Sequence, residues 1–344
     1  MAHITVGIPT KDRYELLPMT LMSVITQTRK PDRLIIYDDS SNPKDLREIQ
    51  TYQYIFTLLN TKGIEWGVEF GQRRGQHVGH QLIQEKALDL VWRIDDDEIA
   101  EPNVLQILES HFVNKPGKHP VGAVAGLVIP PDAPRMEVLP NTLNSIDRAN
   151  CQWFRWKGVK EVEHLYSSYL YRKGINSFER DLSPVAHREE TLHSYGIFKK
   201  KYRLIVDSAA VTYHFRSGVG GIRAAGKQQD WDNDEKLFRE RLREYGVGVP
   251  KKEKCFVLDC GMGDTIVFKS LLPKIKEKYK DYKIILYVCY PELFKGEGLE
   301  LRSIADAYNQ LGNLDRFNIF RWCIDHKWTT EMKHAYAKMT GVAE

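Results

Sequence analysis

The chain has little that would tie it to a membrane, a nucleic acid or an oxidising compartment. Its five cysteines, Cys151, Cys255, Cys260, Cys289 and Cys323, are odd in number and include no C-x-x-C pair. Three lie in apolar, strand-like surroundings, so reduced structural thiols are expected rather than disulfides or a zinc site. No apolar run nears the roughly 20 residues that a membrane-spanning helix needs. A β-rich run already begins at Ile4, which leaves no room for a leader peptide and makes a cytoplasmic protein the expectation. There is no block of Lys and Arg resembling a nucleic-acid arm, no internal repeat and no low-complexity segment. The net charge of +4 permits an anionic partner without requiring one.

What remains is a globular composition, 42% hydrophobic and 28% charged over 344 residues, a length that suits two domains. Strand-like runs at Ile4–Ile8 (stopped by Pro9), Arg33–Tyr37, Ile64–Phe70 and Leu88–Ile94 alternate with helical spacing at Tyr14–Gln27, Asp45–Leu58 and Gln76–Leu90. This alternation predicts an α/β fold with a mostly parallel, Rossmann-like sheet. Val121–Ile129, His164–Tyr171, Tyr202–Val206 and Val211–Phe215 read as further strands, and Glu189–Lys199 and Asp232–Tyr245 as helices. A Gly/Pro/Lys linker over 247–253 then separates a domain at 1–246 from a small α/β unit at 254–344. In that unit Cys255–Leu258, Lys283–Val288 and Phe317–Phe320 read as strands, and Thr265–Tyr279 and Leu299–Gln310 as helices.

The most informative segment is Asp95-Asp96-Asp97-Glu98, four carboxylates at the tip of an apolar strand, with Pro102 opening a helix behind them. Such a cluster repels itself unless a cation sits in it, and a divalent metal carrying a phosphorylated ligand meets that need. A solvated acidic turn ahead of a helix N-terminus meets it equally well. Thr10 and Asp38/Asp39 fall at the ends of two other predicted strands. In open α/β sheets ligands bind at the carboxyl ends of strands, so three segments nominate one crevice.

Five motifs in order carry a resemblance: Pro9-Thr10-Lys11-Asp12-Arg13; Tyr37-Asp38-Asp39-Ser40-Ser41; Asp95-Asp96-Asp97 with Pro102; Glu189-Glu190 twelve residues before Tyr202-Arg203; and Ala210 to His214. Together, residues 4 to about 245 resemble the family 2 glycosyltransferases of the GT-A fold. The resemblance implies an inverting, metal-dependent transfer of a sugar from a nucleotide-diphosphate donor to an acceptor hydroxyl. It gives the D-x-D places to Asp95 and Asp97, with Asp97 favoured as the direct ligand, Mn²⁺ or Mg²⁺ as the cofactor, His214 as a third ligand or a diphosphate contact, Asp96 as a donor-binding residue or a solvated neighbour, and Glu98 behind them. Asp39 takes the place of the acid that reads the nucleotide base, with Asp38 as the alternate or a loop cap. Pro9, Thr10 and Asp12 line the same rim, although Asp12 also suits an N-cap. Glu190 takes the catalytic-base place with Glu189 as alternate, where the family usually has Asp.

Where many relatives carry Arg-Asn beside the diphosphate, this chain has His80-Gln81, so Arg73 and Arg74 are the candidates to supply the missing charge. Arg216, Arg223 and the glycines of Ser217–Gly221 read as a lid or a plain surface loop. Trp153, Phe154 and Trp156 fall where relatives face the acceptor, and core packing explains them equally. The second unit more weakly resembles the opening half of heptosyltransferase-type GT-B enzymes, through Gly261-Met262-Gly263-Asp264. It implies an accessory role in acceptor docking or self-association as a homo-oligomer. A surface glycan precursor and a hydroxymethylated base in DNA both fit as acceptor. A nucleotidyltransferase and a non-catalytic binding module are the competing readings.

Overall fold

A computed structural model describes residues 2–112, 118–133, 135, 151–215, 217–218, 220–221, 226–246, 252–308, 323, 326–327, 329 and 331–343. The chain divides into two compact units, Met1–Val247 and Gly248–Glu344.

The first unit is α/β. Its elements are β1 (Ile4–Thr10), α1 (Leu17–Ile25), β2 (Arg33–Asp38), α2 (Gln50–Thr61), β3 (Glu65–Phe70), α3 (Gln76–Lys86), β4 (Leu90–Arg93), β5 (Glu98–Ala100), α4 (Val104–Ser110), β6 (Val121–Ile129), β7 (Val159–Val162), β8 (Tyr169–Arg172), α5 (Glu189–Lys199), β9 (Arg203–His214) and α6 (Gln228–Glu244). The nine-stranded sheet runs β3-β2-β1-β4-β8-β6-β9-β5, with β7 also on β9. The β3-β2-β1-β4 half is parallel throughout. β8, β7 and β5 add antiparallel pairs in the other half. Ile4, Ile8, Leu21, Leu34 and Trp92 pack one face of the sheet against α1, α2 and α4. Ile35, Ile83, Val91, Tyr169 and Val206 pack the other face against α3 and α5.

Several boundaries differ from the sequence pattern for physical reasons. β1 runs through Pro9 to Thr10. The Gly7 carbonyl accepts from Ile94 on the β4 side. Pro9 therefore points its missing N–H to that same side, beyond the last β4 pair at Gly7–Arg93, where no partner needs it. β9 is one strand, not two, because its kink is satisfied: Asp207 accepts from the Ala209 N–H within it, and Ser208 accepts from the Gly158 N–H beside β7. β5 sits inside what reads as an acidic turn and sets Glu98 opposite His214. α1 starts at Leu17 without a side-chain cap. Asp12 is therefore no N-cap; it lies in left-handed backbone (φ 55°) and accepts from the Ser41 N–H.

The second unit has β10 (Lys252–Leu258), α7 (Met262–Ser270), α8 (Leu272–Lys278), β11 (Tyr282–Val288), β12 (Glu300–Ser303), α9 (Ile304–Tyr308) and α10 (Met332–Thr340). Its strands form a parallel β10-β11-β12 sheet with its own core of Phe256, Phe268, Leu286 and Tyr336. Glu300–Ser303 is an edge strand rather than the start of a helix, since it finds β11 as a partner. The expected strand at Phe317–Phe320 lies outside the described residues. Among the described residues no helix is long and apolar enough to cross a membrane, and no disulfide forms.

Candidate active site

A cavity opens at the carboxyl ends of β1, β2 and β4 and is lined by Pro9, Thr10, Asp39, Asp95, Asp96, Asp97, Glu190 and His214, among others. Three segments far apart in sequence therefore meet, as the parallel half of the sheet requires.

The acidic loop is held from below by polar residues of α1 and of the turn that follows it. Thr20 donates to the Asp96 carbonyl (2.9 Å), Ser23 accepts from the Ala100 N–H (3.2 Å), and Gln27 donates to the Glu101 carbonyl (2.8 Å) while accepting from the Leu105 N–H (2.9 Å). On that frame the four acids have different surroundings. Asp96 is buried, not solvated: it accepts from the Thr10 hydroxyl (2.7 Å) and from Arg13 (2.9 Å). Burial pushes its carboxyl up to about 6, against the pull of Arg13. Asp97 lies 3.1 Å from Arg13 and 3.3 Å from His214 Nε2, and accepts from the Ser217 N–H (3.0 Å). Burial acts to raise its pKa, but His214, Arg13 and that N–H together hold it below the usual carboxylate range.

Asp95 and Glu98 share the hydroxyl of Ser167. It contacts Asp95 Oδ2 at 2.7 Å and Glu98 Oε1 more closely. Ser167 itself has left-handed backbone (φ 47°), a strained conformation of the kind found at functional sites. One hydroxyl has one proton to give, so the second contact calls for a proton on a carboxyl. Burial, with Asp95 adjacent, accordingly pushes Glu98 up to about 8. The His214 imidazole is lowered by burial but raised more by its Asp97 hydrogen bond and by the acids around it.

Asp95, Glu98 and His214 each present a ligand atom within 4.8 Å of the others. His214 Nδ1 and Asp95 Oδ1 are buried without a hydrogen-bond partner among the described residues. Two acids and an imidazole with unsatisfied buried atoms fit a divalent cation. Glu98 thus enters the set that sequence reasoning assigned to Asp95, Asp97 and His214, because a three-residue strand too short to read in the sequence places it there. Asp97 touches His214 from the adjoining side.

At the opposite wall, α5 begins with two glutamates in contrasting settings. Glu189 is fully buried and paired to Arg93 (2.7 Å), and it accepts from Gln76 (3.1 Å). It is not available to the cavity, which removes it as the alternate base. Glu190 is half-buried and lines the cavity. Among the described residues its carboxylate makes no hydrogen bond or ion pair.

On the nucleotide side, Asp39 accepts from the backbone N–H groups of Arg74 (3.2 Å) and Gly75 (2.8 Å) and still lines the cavity. Asp38 is the loop cap: it accepts from Tyr14 (2.7 Å) and from the Ser40 N–H (3.0 Å). The missing charge does not come from Arg73 or Arg74. Arg73 binds the Ser41 carbonyl in an exposed loop, and neither arginine lines the cavity. Nor does His80 reach it. It is 1% exposed on the inner face of α3, stacked on Phe178 at 5.3 Å, and burial drives its pKa well below the ordinary value. Cations that do line the cavity include the half-buried Arg13 and the buried Arg93, which the motif reading left without roles. Trp153 stands edge-on behind Tyr166 (5.1 Å), and Tyr166 rather than Trp153 lines the cavity. Trp156 donates to the Cys151 carbonyl. Arg216 and Arg223 lie outside the described residues.

Sheet order, acidic loop and the carboxylate opening α5 define a GT-A-type domain. Residues 5–126, within the N-terminal unit, match the model of Glycosyl transferase family 2. Among curated relatives, a glucosyl-dolichyl phosphate glucuronosyltransferase of Haloferax volcanii is 27% identical over 173 residues, covering 50% of each chain. The galactofuranosyltransferase GlfT1 of Mycolicibacterium smegmatis is 27% identical over 217 residues, 62% of this chain and 65% of its own. The chain thus spans about half to two thirds of the length of these relatives. Residues 1–349 of S. aureus TarS in complex with UDP-GlcNAc share the fold, with a TM-score of 0.51 at 15% identity over 70% of this chain and 66% of that one.

Proposed function

We propose that the chain is a metal-dependent, inverting glycosyltransferase that moves a sugar from a nucleotide-diphosphate donor to an acceptor hydroxyl. One observation carries the reading: a cation-binding set (Asp95, Glu98, His214) and an unpaired carboxylate (Glu190) share one cavity with the nucleotide-side rim of Thr10 and Asp39. The family match and the UDP-GlcNAc complex of a fold neighbour support the donor class.

In this reading Asp39 accepts an N–H of the nucleotide base, while Thr10 and Arg13 fix the acidic loop that faces the diphosphate. Asp95, Glu98 and His214, with Asp97 adjoining, hold Mn²⁺ or Mg²⁺, and the imidazole favours Mn²⁺. The metal, when bound, neutralises charge gathering on the diphosphate leaving group. Glu190 takes the proton of the acceptor hydroxyl as its oxygen bonds to the anomeric carbon. The bond from that carbon to the diphosphate oxygen breaks, and its electron pair leaves with the nucleoside diphosphate. The relatives carry glucuronosyl and galactofuranosyl activities in their names, so the donor sugar is to be read from a panel. The C-terminal unit serves in acceptor docking or self-association.

The test is transfer assayed with a panel of nucleotide-diphosphate sugars and Mn²⁺. Glu190→Gln is expected to lower kcat by about 10²–10⁴-fold while leaving donor binding in place. Full turnover in that variant would move the base elsewhere. Pyrophosphate release from a nucleoside triphosphate, in place of nucleoside diphosphate release from a sugar donor, would identify a nucleotidyltransferase.

A further inference from the structure

Arg93 ends β4, two residues before Asp95, and its side chain is 1% exposed. A guanidinium this deep demands compensation, because the cost of burying an unpaired charge is large. Two acids on two different elements lie within ion-pair reach, and the Glu190 charge also acts on it. Glu189, the first residue of α5, takes it at 2.7 Å through one carboxylate oxygen and 2.8 Å through the other. Asp95, at the start of the acidic loop, lies 3.5 Å away. Its flat face packs near the rings of Tyr169 (5.3 Å) and Phe178 (5.9 Å), which limit its rotation. Further groups around it are neutral histidines: burial holds both His80 and His193 well below their ordinary pKa, with the Arg93 charge adding to the effect.

Resting on the reading of Glu190 as the base, we infer that Arg93 is a positioning residue, a buried strut that sets the Glu190 carboxylate relative to the acidic loop by hydrogen-bonding Glu189 on one side and facing Asp95 across 3.5 Å on the other. Glu189 and Glu190 are consecutive on one helix turn, so fixing the first fixes the direction of the second. Gln76 also donates to Glu189 (3.1 Å), and Glu235 pairs with Arg188 (3.5 Å), but Arg93 is the charged partner of Glu189 itself. The helix N-cap, Arg188, is in left-handed backbone (φ 69°) and offers no side-chain cap. Misplacing a proton acceptor by about 1 Å can cost on the order of 10²-fold in rate without loosening substrate binding.

The experiment compares the wild-type chain with Glu189→Gln, Arg93→Met and the double variant Arg93→Met/Glu189→Met. Transfer kinetics and donor binding, the latter by thermal shift with a nucleotide-diphosphate sugar and Mn²⁺, are measured for each. Single variants strand a buried charge or dipole and can fail to fold. The double variant removes both charges together, a replacement that folded proteins tolerate well. The expected result is a folded double variant whose donor affinity stays within about threefold of wild type while kcat falls about 100-fold. Equal losses in donor affinity and kcat would mean a merely structural role and would overturn the inference. So would a folded double variant with wild-type kcat. Glu190→Gln, run alongside, separates the two levels: if it turns over normally, the base assignment itself fails and takes the strut with it.

Discussion

At the scale of single residues, the site works by giving chemically similar groups different surroundings. Glu189 and Glu190 are neighbours in sequence, yet one is consumed by Arg93 and the other faces the cavity. Asp96 and Asp97 both touch Arg13, yet only Asp97 also meets His214. A motif names such residues together; burial and partners divide their roles. The same logic governs Glu235 on α6, which meets His187 (3.4 Å) and Arg188 (3.5 Å) next to the cavity and Arg239 on its own helix. Burial raises its pKa, but those partners win and hold it at about 2. Its contribution to stability is therefore present above the unfolded value of about 4.5 and is lost as pH falls through the folded value near 2. Allowing for solvent screening of a partly exposed pair, Glu235→Gln should cost about 1 kcal/mol at pH 7. The difference from wild type should shrink between about pH 4.5 and 2 in urea unfolding. A gap that stays constant across that window would contradict the assignment.

At the scale of elements, α1 shows what patterning reveals and what it hides. Its apolar positions Leu17, Leu21, Val24 and Ile25 stand out at helical spacing and do enter the core. The polar residues Thr20 and Ser23 on the same helix, and Gln27 just past its end, are buried too, and they clasp the segment from Asp96 to Leu105. Nothing in their identity marks them as buried, because the partners that satisfy them are backbone groups 74 to 78 residues away. Gln27→Ala leaves the Glu101 carbonyl and the Leu105 N–H unpaired at a buried position, and is expected to destabilise the domain by about 1–3 kcal/mol in chemical denaturation. A change within experimental error would show that Gln27 does not brace the acidic loop. β5 is the clearest case of an illegible element. Three residues carry no period, and only the β9 edge at Thr212–His214 turns them into a strand. Missing it left Glu98 as a neighbour rather than a partner of His214.

At the scale of the whole molecule, the order of strands and helices along the parallel half was readable, since continuous apolar runs and intervening helical periods fix that class of sheet. The crevice at the strand ends followed from it, and with it Thr10, Asp39, Asp95, Asp97, Glu190 and His214 in one cavity. Arg73, Arg74 and His80 were misplaced because sequence proximity to a rim does not say which way a loop or a helix face points. The two units have separate cores, and every cavity residue named above lies in the first. A fragment of residues 1–247 is therefore expected to fold and to bind a nucleotide-diphosphate sugar with Mn²⁺ within about threefold of the full chain. Loss of binding in a folded fragment would give the second unit a direct part in the donor site.

The most direct test of the central claim is nucleoside diphosphate release from a panel of nucleotide sugars, measured with Mn²⁺ and with EDTA, for the wild type and for His214→Ala. The account predicts release from at least one donor with Mn²⁺, abolished by EDTA and reduced at least about 100-fold by His214→Ala. Undiminished release in EDTA, or in the His214 variant, would contradict it.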